Sequence, residues 1–210
     1  MKKTGTAIIL CGGKSSRMGF DKSKYEINGK LLIEICAEKL GSVFEEVLLV
    51  TKDPAKFKGL RYKIIGDNAD DYAPVLGIYK GLLEAESHFS FIIACDMPVI
   101  SLNYINYLTE KLEKSSFPPD GLISMNGSFI EPFHSFYSKN MLEKIKHNIN
   151  KKDYKITNCI NMCNVEYIDT GTIKKYAGSV DIFTNLNYPC DLEIFSGTFI
   201  KELCPNDKKY

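Results

Sequence analysis

The sequence predicts a single α/β domain in which a mostly parallel sheet lies between two layers of helices. Short unbroken apolar runs, of which Ala7–Leu10 is the first, are typical of strands buried on both faces. In the first half of the chain these runs alternate with segments whose apolar residues recur at helical spacing. The length of 210 residues suits one domain with a substantial core. The predicted architecture is a Rossmann-like three-layer sandwich.

The first half of the chain predicts four strands and three helices. The strands cover 7–10, 47–51, 62–65 and 89–95, and the helices cover 31–40, a segment that begins at Pro74, and 101–114. Proline at the start of the second helix suits the first helical turn, and Ser101 is a suitable N-cap for the third. Gly41 is suited to ending the first helix.

The second half alternates less regularly and predicts a smaller mixed lobe. Strands are predicted at 122–125, 132–137 and 165–168, and helices at 140–149 and from Pro189 onward. Asn126 and Gly127 suit a hairpin turn between the first two of these strands. We expect residues 1–196 to form the domain and 197–210 to form a C-terminal tail.

The composition argues against several classes of partner. With 27 basic and 26 acidic residues the net charge is +1, which gives no support for a nucleic-acid or membrane-binding surface. The seven cysteines show neither a C-x-x-C pair nor a nearby histidine, which favours buried thiols in a reducing compartment over a zinc site. No apolar stretch approaches the roughly 20 residues of a membrane helix. We expect a cytoplasmic protein.

The segment from Ala7 to Lys22 predicts an anion-binding loop at the carboxyl end of the first strand. Gly12 and Gly13 allow a sharp turn and a close approach of backbone amides to a ligand. Three basic residues add positive charge to the loop: Lys14, Arg17 and Lys22. The P-loop motif is excluded because position 8 is isoleucine, and the G-x-G-x-x-G pattern is absent. A simple turn with solvated lysines is the alternative, but Arg17 is one of only two arginines and favours phosphate binding.

The same segment resembles a nucleotidyltransferase signature. Residues Leu10 to Lys22 are similar to the pattern Leu-Ala-Gly-Gly-x-Ser-x-Arg-Met-Gly-x-Asp-Lys of the molybdenum cofactor guanylyltransferases, the MobA family, with Cys11 in place of the usual alanine. Three further stretches extend the resemblance over residues 6–195: Asp71 with Pro74–Ile78, Ala94–Pro98, and Phe183–Leu192.

Asp96 is the candidate metal ligand. It follows the most apolar predicted strand, so its carboxylate lies at the carboxyl end of that strand, where open α/β sheets bind ligands. Oxygen ligands of this kind suit Mg²⁺. A turn or N-cap aspartate is the alternative on these residues alone. The resemblance of Cys95-Asp96-Met97-Pro98 to the Cys-Asp-Met-Pro motif implies that Asp96 binds the divalent metal.

The resemblance also implies roles for residues that the pattern alone leaves open. Asp71 belongs to an acidic cluster that is otherwise typical of a solvated loop, and the family places an aspartate near it for guanine or metal-side contacts. Asn185 and Asn187 offer donors and acceptors to the acceptor substrate, although turn chemistry explains them equally well. His134 lies near the expected acceptor pocket, where a packed histidine is favoured over a catalytic base.

The resemblance implies transfer of GMP from GTP to the molybdopterin-bound molybdenum cofactor, with release of pyrophosphate. The catalytic residues are then Arg17 and Lys22, the metal is Mg²⁺, and the nucleotide-binding residues are Leu10, Cys11, Gly12, Gly13, Lys22, Asp71 and Asp96. GTP and a molybdopterin-type acceptor are the expected ligands, and other cofactor-biosynthesis proteins or a molybdoenzyme chaperone are candidate partners. The alternatives are a related transferase using CTP or another phosphorylated acceptor, and a non-catalytic nucleotide-binding protein.

Overall fold

The computed structural model describes residues 5–12, 25–27, 29–67, 71–186 and 191. The strands are β1 (Thr6–Leu10), β2 (Glu26–Ile27), β3 (Lys30–Leu31), β4 (Glu46–Thr51), β5 (Lys63–Gly66), β6 (Phe89–Ala94), β7 (Gly121–Asn126), β8 (Phe129–Ser138) and β9 (Val165–Ile168). The α-helices are α1 (Leu32–Leu40), α2 (Pro74–Glu84), α3 (Leu102–Glu113), α4 (Leu142–Asn150), α5 (Ile156–Asn161) and α6 (Thr170–Ala177). No described helix is long and apolar enough to cross a bilayer.

Seven strands form one sheet in the order β5-β4-β1-β6-β8-β7-β9. Strands β5, β4, β1 and β6 are mutually parallel, and so are β7 and β9. Strand β8 pairs antiparallel with both of its neighbours, β6 and β7, and so joins the two parallel groups into a single sheet. The predicted mixed lobe is therefore continuous with the sheet of the first half.

Alternating side chains of each strand supply two cores, one on each face of the sheet. In β1, Ala7 and Ile9 face α1, α3 and α6, whereas Ile8 and Leu10 face α2, α4 and α5. All five residues of β1 are buried. This double burial confirms the three-layer architecture that the apolar runs predict.

Most predicted elements agree with the structure to within a residue or two. Pro74 begins α2, and the Ser101 side chain caps α3 by accepting the Tyr104 N–H at 3.3 Å. The short helices α5 and α6 were not predicted, and neither was the two-stranded sheet of β2 and β3. Of the predicted helix from Pro189 the structure describes Asp191, which is helical, and the tail 197–210 lies outside the described residues, so the boundaries of the domain stay a prediction.

Candidate nucleotide-binding and active site

The carboxyl ends of β1 and β6 meet where the strand order of the sheet reverses. The chain passes from β1 outward to β4 and β5, and then returns to the other side of β1 as β6. Backbone hydrogen bonds extend the pairing past the strand ends: the Cys95 N–H donates to Leu10 O at 3.0 Å, and the Cys11 N–H donates to Val50 O at 2.7 Å. Open α/β sheets bind ligands in the crevice at such a reversal.

A cavity of about 300 Å³ opens beside these strand ends. It is lined by residues at the carboxyl ends of β1, β4, β5 and β6, by one residue of β8 and by the start of α2: Leu10, Gly12, Val50, Thr51, Lys52, Asp67, Tyr72, Ala73, Pro74, Gly77, Ala94 and Phe133. The Lys52 ammonium lies 4.4 Å from the centre of the Tyr72 ring. The cavity thus combines apolar walls with an ammonium and a carboxylate, a combination suited to a polar ligand with a flat face.

Of the two described aspartates of the acidic cluster, Asp67 lines the cavity and Asp71 does not. It directly follows β5, and its N–H donates to Thr51 O at 2.7 Å, so its backbone is held at the carboxyl ends of β4 and β5. Asp71 is exposed, and its carboxylate accepts the hydroxyl hydrogen of Tyr154 at 2.7 Å. That hydrogen bond raises the pKa of Tyr154 and ties Asp71 to the start of α5.

Asp96 lies in a tight turn directly after β6 and is half-buried. The turn is closed by the Met97 N–H, which donates to Ala94 O at 3.0 Å. Asp96 O accepts the Leu186 N–H at 2.8 Å. This bond brings the segment that contains Asn185 beside Asp96, and the Asn185 side chain is exposed there.

Glu131 is a second carboxylate close to Asp96. Burial raises its pKa, the N–H of Phe133 bound at 3.1 Å lowers it, and the negative charge of Asp96 raises it further. The part of the chain that the structure describes contains no group of three or more side chains able to hold a metal ion. One or two carboxylates nevertheless suit Mg²⁺, which takes its other ligands from phosphates and water.

The structure brings together part of the predicted nucleotide site. Leu10 and Gly12 line the cavity, whereas the Cys11 side chain points to the opposite core. Burial raises the pKa of the Cys11 thiol well above its usual value, as do the nearby Cys95 and Cys36. Cys11 is therefore a neutral packing residue, not a nucleophile. Four predicted site residues lie outside the described residues: Gly13, Arg17, Lys22 and Asn187.

Sequence reasoning missed several residues that form the cavity. The lining also includes Thr51, Lys52, Asp67, Tyr72 and Phe133. Thr51 ends β4, Lys52 follows β4 and Asp67 follows β5. Like Asp96, they lie at the carboxyl ends of parallel strands, where open α/β sheets bind ligands. Phe133 carried no such signal, because it reaches the cavity from the antiparallel strand β8.

Comparison with known proteins agrees with this arrangement. Residues 7–161 match the family described as the MobA-like NTP transferase domain. The chain belongs to that family. The MobA-like match spans β1, the cavity, Asp96 and the β8 strand, so the family segment contains most of the site described above.

Two relatives of this MobA-like chain are similar over nearly their whole length. The probable molybdenum cofactor guanylyltransferase of Peptoclostridium acidaminophilum is 38% identical over 210 residues, covering 99% of this chain and 95% of that protein. The molybdenum cofactor guanylyltransferase of Syntrophotalea carbinolica is 32% identical over 191 residues, covering 91% and 90%. Among solved structures, molybdopterin-guanine dinucleotide biosynthesis protein A from Archaeoglobus fulgidus superimposes with a TM-score of 0.79 at 24% identity, covering 93% of this chain and 99% of that one. That structure supports the fold.

Proposed function

We propose that this protein transfers GMP from GTP to the phosphate of a molybdopterin-bound molybdenum cofactor and releases pyrophosphate. Family membership and the two guanylyltransferase relatives support this function. The observation that carries it is structural: three separate motif segments meet at one edge of the sheet. These are Leu10–Gly12 beside the cavity, the Asp96 turn, and the Asn185 segment bound to that turn.

The cavity is assigned to the nucleoside of GTP. Leu10 and Tyr72 offer apolar surface to the base, and Lys52 and Asp67 offer a donor and an acceptor for polar groups of the base or ribose. We assign to Asp67 the nucleotide contact that the motif pattern gave to Asp71, because Asp67 lines the cavity whereas Asp71 is bound to Tyr154 outside it.

The reaction needs no nucleophile from the protein. An acceptor phosphate oxygen attacks the α-phosphorus of GTP in line, a new P–O bond forms, and the bond to the pyrophosphate oxygen breaks. The protein places the two anions and neutralises their charge. The amides of Gly12 and Gly13 are assigned to the phosphates, and Arg17 and Lys22 to the negative charge that develops on the triphosphate and on the departing pyrophosphate.

Asp96 would hold Mg²⁺, with Glu131 as the neighbouring carboxylate. When bound, Mg²⁺ screens the repulsion between the two phosphate groups and withdraws charge from the reacting phosphate. Asn185 and Asn187 are assigned to the acceptor, because the Leu186 N–H donates to Asp96 O and so holds the Asn185 segment beside the Asp96 turn.

The proposal is tested by supplying the purified protein with Mg²⁺, the molybdopterin acceptor and one of GTP, CTP, ATP or UTP, and measuring pyrophosphate release together with the dinucleotide product. We expect product with GTP alone. Product with CTP alone would instead make the protein a cytidylyltransferase, and absence of product with every nucleotide would refute nucleotidyl transfer.

Matched variants assign the carboxylates. Asp96→Asn should lower kcat/KM by roughly 100-fold or more, because a metal ligand contributes several kcal/mol to transition-state stabilisation. Asp67→Asn should raise KM for GTP, whereas Asp71→Asn, which alters a carboxylate outside the cavity, should change KM for GTP less than about twofold. Near-normal turnover of Asp96→Asn with Mg²⁺ present would refute the metal assignment.

A further inference from the structure

Strand β8 contains a large bulge at the edge of the active site. Leu122 of β7 pairs with Phe136, and the next paired residue, Ser124, pairs with Glu131. Residues 132–135 of β8 therefore lie opposite a single residue of β7. On the other side, pairing with β6 ends at Ile92 and Ser135, so the bulge lies alongside the last residues of β6 and the turn that follows.

Hydrogen bonds from outside the bulge hold it in shape. The Ser124 hydroxyl donates to His134 O at 2.7 Å and lies 2.8 Å from the Tyr104 hydroxyl, while the Ser124 N–H donates to the Ser135 hydroxyl at 2.9 Å. The Tyr137 hydroxyl donates to Pro132 O at 2.7 Å. Groups on α3, β7 and β8 therefore fix a conformation that the local sequence does not favour.

His134, at the centre of the bulge, shows two unfavourable features at once. Its φ is 52°, in the left-handed region that non-glycine residues seldom adopt. Its side chain is only 1% exposed, yet Nε2 has no hydrogen-bond partner within the described structure. Each feature destabilises the folded chain, and such features tend to occur at functional sites.

The His134 side chain contacts two segments: the Asp96 turn, to which the metal is assigned, and the segment near Asn185, to which the acceptor is assigned. The imidazole is hydrogen-bonded to the backbone of Met97, the residue after Asp96. Its ring meets the Phe183 ring nearly edge-on, with centroids 6.2 Å apart. Phe183 precedes Asn185 by two residues, and the adjacent Leu186 N–H donates to Asp96 O.

We propose that His134 is a positioning residue that fixes the Asp96 turn against the Phe183–Leu186 segment and so sets where the acceptor phosphate meets the bound nucleotide. This inference rests on the proposed function. The acceptor's contacts depend on where this segment lies, so displacing the segment leaves those contacts imperfectly paired and weakens acceptor binding. His134 does not reach the cavity that receives the nucleoside, so its effect falls on the acceptor and not on GTP.

The test separates acceptor binding from nucleotide binding in three variants. His134→Leu removes the imidazole, Phe183→Leu removes its ring partner, and His134→Asn keeps a hydrogen-bonding group and tolerates positive φ. We expect His134→Leu and Phe183→Leu each to raise KM for the molybdopterin acceptor by about tenfold or more. The Kd for GTP measured without Mg²⁺, which depends on the cavity and not on the Asp96 turn, should stay within about twofold. His134→Asn should be intermediate. The exposed histidines His88 and His147 provide matched controls, and their replacement by asparagine should change neither constant.

A purely structural role predicts a different result. It lowers the amount of folded enzyme, and with it the apparent kcat, while KM for the acceptor stays constant. That result, or unchanged constants in all three variants, would overturn the inference. Circular dichroism identifies any variant that does not fold. If His134→Leu is one of these, Phe183→Leu and His134→Asn decide the matter.

A wild-type protein that transfers no GMP would overturn the proposed function, and this inference with it. An active wild-type protein with an unchanged KM for the acceptor in the variants would overturn the inference alone.

Discussion

At the scale of single residues, burial decides which groups near the active site carry charge. Burial lowers the pKa of His134 to about 4, against a smaller upward effect of its hydrogen bond to the Met97 backbone. Burial raises the pKa of Glu131, as does the negative charge of nearby Asp96. At neutral pH the imidazole is therefore neutral, and it can join two segments without adding positive charge that would compete with a cation at Asp96.

The depressed pKa of His134 predicts a pH-dependent stability. The unfolded chain, with a histidine pKa near 6.5, binds more protons than the folded chain as pH falls toward 4. The stability that the buried neutral imidazole contributes to the folded chain is fully present above about pH 6.5. It is lost as pH falls from about 6.5 through about 4, and the total loss is about 3 kcal/mol. Urea unfolding of the wild type and His134→Asn at pH 7 and pH 5 should show a steeper loss for the wild type. Equal losses in the two proteins would contradict a buried neutral imidazole.

The sequence predicts the position of a side chain well where a strand end decides it and less well where neighbouring residues compete, and the roles of these residues stay predictions. Asp96 follows an apolar strand, so its place at the sheet edge followed from the pattern. Asp67 and Asp71 lie in one acidic cluster, and sequence alone did not show that Asp67 would line the cavity while Asp71 accepts the Tyr154 hydroxyl hydrogen. The alternation of side chains along β1 continues to Cys11 and turns its side chain to the same core as Ala7 and Ile9.

At the scale of elements, the apolar runs predicted the central strands well because both faces of these strands are buried. The bulge in β8 was not predictable in this way. It depends on Tyr104 and Ser124, which are distant in sequence and contact it only in the folded chain. The short helix α5 was missed because its six residues give too little periodicity to distinguish a helix from a loop.

Close packing between β7 and β8 predicts that Gly121 is required at the start of β7. A Cβ at this position would lie 2.8 Å from Phe136 O, a backbone atom that cannot move without disturbing the pairing. Gly121→Ala should therefore lower the free energy of unfolding by about 1–3 kcal/mol, measured by urea denaturation. Gly12→Ala serves as the control, since a Cβ there meets no described atom within 4 Å. An equal effect of the two substitutions would show that close approach to β8 is not the cause.

At the scale of the whole molecule, segments from both halves of the chain meet at the edge of the sheet where β1 and β6 end. The nucleoside cavity draws mainly on β1, β4 and α2, while the Asp96 turn contacts the segment near residue 186. The alternating strands and helices predicted this convergence in the first half. The second half was predicted less well, because its mixed strand directions leave several topologies open, and the sequence did not show that β8 would join the two parallel groups.

Ligand binding at this edge should stabilise the entire fold. A nucleotide present at about 100 times its Kd adds about 2.7 kcal/mol to the free energy of unfolding, which corresponds to a rise in Tm of about 5–10 °C for a domain of this size. We expect this rise with GTP and Mg²⁺, and little with CTP, ATP or UTP. Asp96→Asn should lose the part of the rise that depends on Mg²⁺. A constant Tm with every nucleotide would contradict the assignment of the cavity to GTP.

The reversed direction of β8 has a consequence for how this fold can vary. Each parallel strand crosses the core before it reaches the edge of the sheet that holds the active site. A change in the length of such a strand therefore displaces the loop that follows it. In β8 the chain reaches the active edge first and crosses the core afterwards, from Ser135 to Ser138. The turn between β7 and β8 can therefore lengthen, shorten or change sequence while the later residues keep their register with β6. Sequence changes in that turn therefore alter the rim of the active site and leave the strands that line the nucleoside cavity unchanged.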